Sequence, residues 1–214
     1  MSLTTQLSNV LENFKKNAPE DTKQAIFTAN CDFKSNFKPA STIQVGTKIP
    51  DFSLPNATGG VTSSADLLQQ GPMLISFYRG EWCPFCNLEL QALQRHVDEF
   101  KAKGVNLVAI SPELPDQSLT TVEKHALKFP VLSDVGNKFA RQLGIVWAMP
   151  DSLRPIFEKF GHGLVTRNGD DSFEVPVPAT LLIDQNGVVR NVFLNPDYSK
   201  RLEPEEALAW IDAL

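Results

Sequence analysis

Cysteine, histidine and long hydrophobic runs are all scarce in this sequence. Its 214 residues contain three cysteines and three histidines, and three cysteines are too few for the disulfide framework of a small secreted scaffold. No stretch approaches the roughly 18 apolar residues that a membrane-spanning helix requires. No charged-then-apolar signal precedes Leu3, so a secretory leader is not expected. The sequence therefore predicts a protein of the reducing cytoplasm that has no membrane partner.

The charge pattern limits the class of partner further. The chain carries 20 Lys and Arg against 25 Asp and Glu residues, a net charge of −5. It has no Lys/Arg cluster of the kind that forms a nucleic-acid-binding patch, so no nucleic-acid partner is expected. With 42% hydrophobic residues, the chain can bury a full core. Its length, set against about 150 residues per domain, favours one main domain with an appendage.

The appendage is an N-terminal arm. Residues 3–30 have a helical pattern, with Leu7, Val10, Leu11 and Phe14 on one face and a break near residues 19–21. This apolar stripe has to be buried, either on its own domain or, as the sharper hypothesis, against a second subunit in a homodimer. We divide the chain into an arm and linker, 1–44, and a main domain, 45–214.

The main domain alternates strand and helix patterns, which indicates the α/β class. An Asn-Gly turn at 186–187 separates the last two strands and predicts a hairpin. We expect strands at 72–78, 105–110, 129–133, 179–184 and 188–194, and helices at 84–100, 119–127, 137–143 and 205–214. Residues 146–178 have no clear period and predict an irregular connection that covers a site, supports a dimer or, by default, packs on the domain.

The most informative motif is the pair Cys83 and Cys86, which lies between the first long strand and the helix after it. Pro84 suits the first helical position, so Cys83 falls near the N-cap and Cys86 one turn later, on the same side. Helix N–H groups stabilise a thiolate, the reactive form of cysteine, and Arg79 adds a cation four residues before Cys83. A zinc site would need further ligands at a spacing that Cys31 and the histidines do not provide. We expect a redox dithiol that needs no metal and no bound cofactor.

Four segments together resemble the peroxiredoxin-like branch of the alkyl hydroperoxide reductase and thiol-specific antioxidant (AhpC/TSA) family. They are residues 77–90 (FYRGEWCPFCNLEL), 109–112 (AISP), 129–134 (FPVLSD) and 178–184 (PATLLID). The resemblance runs from about residue 45 to the C-terminus. It implies a thioredoxin-like fold, a central mixed sheet flanked by helices, here with an N-terminal helical extension. It also implies a thiol-dependent peroxidase that reduces hydrogen peroxide or organic hydroperoxides and is regenerated by an external thiol such as thioredoxin or glutathione.

The resemblance has two departures from the family's usual site. Placing Cys86 on the family's peroxidatic cysteine puts Arg79 on a motif proline and Cys83 on a threonine. Pro178 occupies the position of a family arginine and resembles the cis-proline of thioredoxin instead, so we expect a cis Val177–Pro178 bond that faces the cysteines. Either Arg79 replaces the lost arginine or the site has no such cation.

Several alternatives stay open at the sequence level. Cys83 attacks first in a thioredoxin-like site, and Cys86 attacks first in a peroxiredoxin-like one. Trp82, beside the motif, and Pro178 are the candidate substrate-binding residues, whereas Glu81 and Glu89 are expected to be solvated carboxylates. The competing functions are a protein-disulfide oxidoreductase without significant peroxidase activity and a non-catalytic redox-sensing module.

Overall fold

The computed structural model describes residues 1–214, which form ten helices and nine strands. The helices are α1 (Leu3–Asn17), α2 (Glu20–Asn36), α3 (Ser64–Gln70), α4 (Pro84–Arg95), α5 (Val97–Ala102), α6 (Pro115–His125), α7 (Lys138–Gln142), α8 (Arg154–Lys159), α9 (Leu164–Asn168) and α10 (Pro204–Asp212). The strands are β1 (Ser53–Pro55), β2 (Val61–Ser63), β3 (Met73–Phe77), β4 (Asn106–Ser111), β5 (Val131–Ser133), β6 (Val146–Ala148), β7 (Glu174–Pro176), β8 (Ala179–Ile183) and β9 (Val189–Leu194). None of the helices combines the length and hydropathy that crossing a bilayer demands.

Five strands form a mixed central sheet in the order β5-β4-β3-β8-β9. Strands β3, β4 and β5 are parallel, whereas β8 is antiparallel to β3 and β9 is antiparallel to β8. Every residue of β3 and β8 is buried, because helices cover both faces of the sheet. The sequences of these two strands are accordingly apolar almost throughout. The predicted α/β class with a mixed sheet and flanking helices is confirmed.

The predicted hairpin is also present, between β8 and β9. Gly187 has φ 80°, a backbone conformation that glycine adopts without steric cost. The Asp184 carboxylate accepts hydrogen bonds from the backbone N–H groups of Asn186 and Val188, both at 2.9 Å. This turn chemistry is local, and that is why the sequence predicted it.

The N-terminal arm packs on its own main domain, as the default interpretation held. Leu7 is buried in the single core, and Val10 and Leu11 pack against it, with α1 in contact with α4. The backbone N–H groups of Leu3 and Thr4 donate to the carboxylate of Glu203, at the start of α10. Contact of the arm with a second subunit stays a prediction.

Helix α2 extends to Asn36, six residues beyond the predicted helical region. The added turns are polar in sequence, but Phe33 lies 4.8 Å, centroid to centroid, from Trp147. Contacts of this kind cannot be read from local periodicity. They tie the arm to the connection that was predicted to be irregular.

That connection, residues 146–178, contains short elements rather than an extended coil. Strands β6 and β7 pair antiparallel, and helices α8 and α9 lie between them. Each element has only three to six residues, too few to show a hydrophobic period. Trp147 and Phe157 are buried, so the connection packs on the domain while also covering one end of the sheet.

We expect Leu7→Ala to lower the free energy of unfolding by about 2 to 5 kcal/mol, because it removes a fully packed side chain that joins α1 to the core. Urea unfolding followed by tryptophan fluorescence measures the change. Ser8→Ala alters an exposed neighbour on the same helix and should have little effect. Equal stability of the two variants would show that the arm is not part of the cooperative core.

Candidate active site

The two cysteines of the motif lie where β3 leads into α4, as predicted. Pro84 is the first residue of α4 and Cys83 is its N-cap. The Cys83 Sγ accepts a hydrogen bond from the backbone N–H of Cys86 at 3.4 Å. The helix therefore directs a free N–H group and the positive end of its dipole at the Cys83 sulfur.

The two thiols are in contact and completely enclosed. The Cys86 Sγ donates to the Cys83 Sγ at 2.7 Å, both thiols are free, and both residues are 0% exposed. Cys31 is also free but exposed on α2. The structure thus brings two of the three cysteines together, and nothing can reach their sulfurs directly from solvent in this conformation.

Arg79 supplies a cation to Cys83. Its Nη2 donates to the Cys83 Sγ at 3.2 Å, and its guanidinium stacks over the rings of Tyr198 and Trp82, 4.3 and 5.0 Å from their centroids. Burial opposes ionisation of Cys83, but the Cys86 hydrogen bond and the charges of Arg79 and Arg201 outweigh it and hold the pKa of the Cys83 thiol well below its ordinary value. Cys83 is the thiolate of the pair.

Arg201 is a second buried cation, which sequence reasoning missed. Its Nη2 donates to the Cys86 Sγ at 3.4 Å, and its Nε donates to the Glu89 carboxylate. Burial and the neighbouring Cys83, as hydrogen-bond partner and as charge, raise the pKa of the Cys86 thiol well above its ordinary value, although Arg201 and Arg79 oppose this. The two pKa shifts run in opposite directions, so ionisation of Cys83 is favoured over ionisation of Cys86.

The expectation that Glu89 is a solvated carboxylate is wrong. Glu89 is 1% exposed, because it lies three residues after Cys86 on α4, on the same inward helix face. The spacing of Cys86 and Glu89 was therefore a signal available in the sequence. The sequence held no such signal for Arg201, since this residue follows β9 and is separated from Cys86 by 115 positions.

A second buried carboxylate, that of Glu113, binds the loop that carries Arg79. Glu113 accepts from the backbone N–H of Glu81 at 2.9 Å and lies 3.4 Å from Arg167. Gly80 has φ 146°, and a Cβ there would approach the Trp82 Nε1 to 2.4 Å, so only glycine fits. Burial raises the pKa of Glu113 to about 7. Glu81 itself is ion-paired with Lys124 and Arg167 rather than free in solvent.

Pro178 does not have the predicted geometry. The chain has no cis peptide bond, so the expected cis Val177–Pro178 bond is wrong. The trans bond keeps the chain extended between β7 and β8, where the Val177 N–H donates to the Ile145 carbonyl at 2.6 Å, and trans is the usual state of X-Pro bonds. Pro178 is buried and does not line the cavity described next.

A cavity of about 240 Å³ lies above the dithiol. Arg79, Trp82 and Tyr198 are among its 15 lining residues, of which 11 are hydrophobic. Of the sequence-predicted site residues, Cys83, Cys86, Arg79 and Trp82 are thus brought to one place, and Pro178 is not among them. No group of three or more His, Cys, Asp or Glu side chains is arranged to hold a metal ion.

Most of this chain can be aligned with known proteins. The model of the AhpC/TSA family matches residues 45–192. Peroxiredoxin Bcp of Escherichia coli is 26% identical over 79% of this chain and 96% of its own length. The chloroplastic peroxiredoxin Q of Sedum lineare is 27% identical over 75% of this chain and 72% of its own. The crystal structure of peroxidoxin BcpB from Mycobacterium tuberculosis superposes with a TM-score of 0.62 and 24% identity, covering 80% of this chain and 98% of that one, which shows a common fold. The family match excludes both α1–α2 and Arg201.

We expect Arg79→Met to raise the pKa of the Cys83 thiol, because it removes the cation 3.2 Å from the sulfur. Ultraviolet absorbance of the thiolate, followed against pH in the reduced protein, measures the shift. Arg95→Met removes an exposed arginine from α4, the helix whose N-cap is Cys83, and should leave the titration in place. A titration that Arg79→Met does not move would remove Arg79 from the account of Cys83 ionisation.

We expect Glu113→Gln to weaken the pH dependence of stability between about pH 5 and pH 7. The folded state raises the pKa of Glu113 from 4.5 to about 7. In this range the folded chain keeps a proton that the unfolded chain releases, so the free energy of unfolding falls as pH rises. Glutamine does not titrate, so the drop in the free energy of unfolding between about pH 5 and pH 7 should be smaller in Glu113→Gln. Urea unfolding at the two pH values measures this drop. The exposed control Glu123→Gln on α6 should keep the wild-type fall, and a Glu113 variant that keeps it too would contradict the assignment.

Proposed function

Because this chain belongs to the AhpC/TSA family and is a thiol-dependent peroxidase, we propose that it reduces hydroperoxides at the Cys83–Cys86 pair, with Cys83 as the attacking thiolate. The observation that carries the proposal is the set of donors on the Cys83 sulfur. Arg79 Nη2, the Cys86 N–H and the Cys86 thiol all point to Cys83, whereas Cys86 receives only Arg201. A thiolate is the nucleophilic form of cysteine, so the sulfur that accepts more hydrogen bonds is the one that attacks first.

The proposed oxidative half-reaction begins with the Cys83 thiolate and the terminal oxygen of the hydroperoxide. A sulfur–oxygen bond forms as the oxygen–oxygen bond breaks, and the leaving alkoxide or hydroxide takes a proton from solvent to become an alcohol or water. Cys83 is then a sulfenic acid. Arg79 supports this step because its guanidinium stands where negative charge moves from sulfur to the leaving oxygen.

The proposed second step joins the two cysteines. The Cys86 sulfur attacks the sulfur of the Cys83 sulfenic acid, a disulfide forms and water leaves. Arg201 lies 3.4 Å from the Cys86 Sγ and stabilises Cys86 as it loses its proton. Glu89 fixes the guanidinium of Arg201 and is therefore a positioning residue.

An external dithiol, or two monothiols in succession, closes the proposed cycle: the first thiol forms a mixed disulfide, the second displaces it, and the reductant leaves as a disulfide while both cysteines return to the reduced form. Thioredoxin and glutathione are the candidate reductants, and the compartment we propose is the reducing cytoplasm, which the small number of cysteines supports. Because both sulfurs are completely buried, the chain has to open before any protein partner, a disulfide substrate or thioredoxin, can contact them. A small hydroperoxide needs a smaller opening, which favours peroxide reduction over the main competing function, reduction of protein disulfides without peroxidase activity.

We expect the two cysteine variants to fail differently with hydroperoxide. Cys83→Ser should lose the reaction, whereas Cys86→Ser should complete one turnover and stop as a sulfenic acid on Cys83, which further peroxide converts to sulfinic acid. Single-turnover peroxide consumption with mass spectrometry of each cysteine measures this. Cys31→Ser, at the exposed third cysteine, is the control and should cycle normally.

Three other results would change the proposal. The reverse pattern would make Cys86 the attacking cysteine. Slow peroxide consumption beside rapid reduction of a protein disulfide would replace the peroxidase with a disulfide oxidoreductase. A reversible Cys83–Cys86 disulfide with no turnover of either substrate would leave a redox sensor.

A further inference from the structure

The cavity above the dithiol is lined partly by residues that the family match does not contain. Val10, Phe14 and Ile26, from helices α1 and α2, form one wall. Residues of the connection between β6 and β7, among them Phe157, also line the cavity, and they lie within the family match. Since the family match begins at residue 45, the arm adds to the family domain one side of a compartment over its reactive cysteines.

The cavity is larger than hydrogen peroxide requires. Its volume is about 240 Å³, and an engineered apolar protein cavity of about 150 Å³ holds a benzene molecule. A substituted aromatic ring or a branched alkyl group therefore fits. The hydrophobic lining favours such a group over water or a small polar peroxide.

Three residues that line the cavity, Arg79, Trp82 and Asn30, each carry a buried polar atom without a hydrogen-bond partner. Arg79 Nε and Trp82 Nε1 are hydrogen-bond donors without a partner, in residues that are only 6% and 9% exposed. On the arm, Asn30 is 8% exposed; its Nδ2 donates to the Ile26 carbonyl at 2.7 Å, and its Oδ1 has no partner. Unpaired buried groups are costly. A hydroperoxide group offers both acceptor oxygens and one donor hydrogen.

We propose that helices α1 and α2 complete a binding site for hydroperoxides with a bulky apolar group, aryl or branched alkyl, and that this arm makes the enzyme prefer them to hydrogen peroxide. The inference rests on the proposed function, since the bound peroxide has to meet the Cys83 thiolate. Arg79 joins the two sites, because it lines the cavity and donates to the Cys83 Sγ. Phe14 and Ile26 are specificity-determining residues in this assignment.

The test compares two substrates in the full-length protein with dithiothreitol as reductant. Ile26→Trp fills the cavity from the arm side and should lower the ratio of kcat/KM for cumene hydroperoxide to kcat/KM for hydrogen peroxide by about tenfold or more. The ratio is the readout because partial loss of folded protein lowers both values equally. Gln24→Trp places the same side chain at an exposed position of α2 and should keep the wild-type ratio.

A binding measurement makes the test independent of turnover. Cumyl alcohol, the product of cumene hydroperoxide, should quench or shift the tryptophan fluorescence of the wild-type protein and of Gln24→Trp, and should bind Ile26→Trp more weakly. An unchanged substrate ratio in Ile26→Trp, or a wild-type protein that prefers hydrogen peroxide, would overturn the inference and leave the peroxidase proposal standing. A wild-type protein that reduces neither peroxide while still binding cumyl alcohol would overturn the proposed function instead.

Discussion

Compensation of buried charge is the constraint on which the site depends. A thiolate and a carboxylate lie in the interior, and each desolvated ion without a partner costs on the order of several kcal/mol. The structure matches Cys83 with Arg79 and Glu89 with Arg201. Arg201 also contacts Cys86, so the two pairs form one cluster. Two guanidinium charges offset the Glu89 carboxylate and one thiolate, so the cluster is balanced with one of the two thiols ionised, and the opposite pKa shifts of the pair favour Cys83.

Maintaining this charge balance requires distant parts of the chain to be held in fixed positions relative to one another. Arg79 comes from the loop after β3, Glu89 from α4, and Arg201 from the segment before α10. That segment is anchored by a turn in which Asp197 binds Ser199. Next to Arg201, Glu203 binds the first backbone N–H groups of α1. The arm therefore supports the cluster through α10 as well as covering it.

The parts of the molecule that the sequence predicted are those whose determinants are local. The buried strand β3, the N-cap position of Cys83 and the β8–β9 turn follow from short-range patterns. Arg201 could not be found this way, because its position depends on the path of the chain after β9. The predicted cis bond before Pro178 was wrong because it came from a likeness to thioredoxin, whereas the surrounding strands require an extended chain. The boundary at residue 44 stays a prediction about folding units.

Neither sulfur of the dithiol is exposed, so the two halves of the proposed reaction cycle differ in how their reactants reach the sulfurs. Neither a peroxide nor a reductant can contact the buried sulfurs in this conformation, and a small hydroperoxide needs the smaller opening of the two. The reductant has to bring its own sulfur into line with a disulfide that the arm and the β6–β7 connection cover, so that half of the cycle requires a more open form. In the proposed cycle the two half-reactions therefore differ in the opening they need, a small one for the peroxide and a large one for a protein reductant. The oxidised form accumulates at saturating peroxide if the larger opening is the slower one.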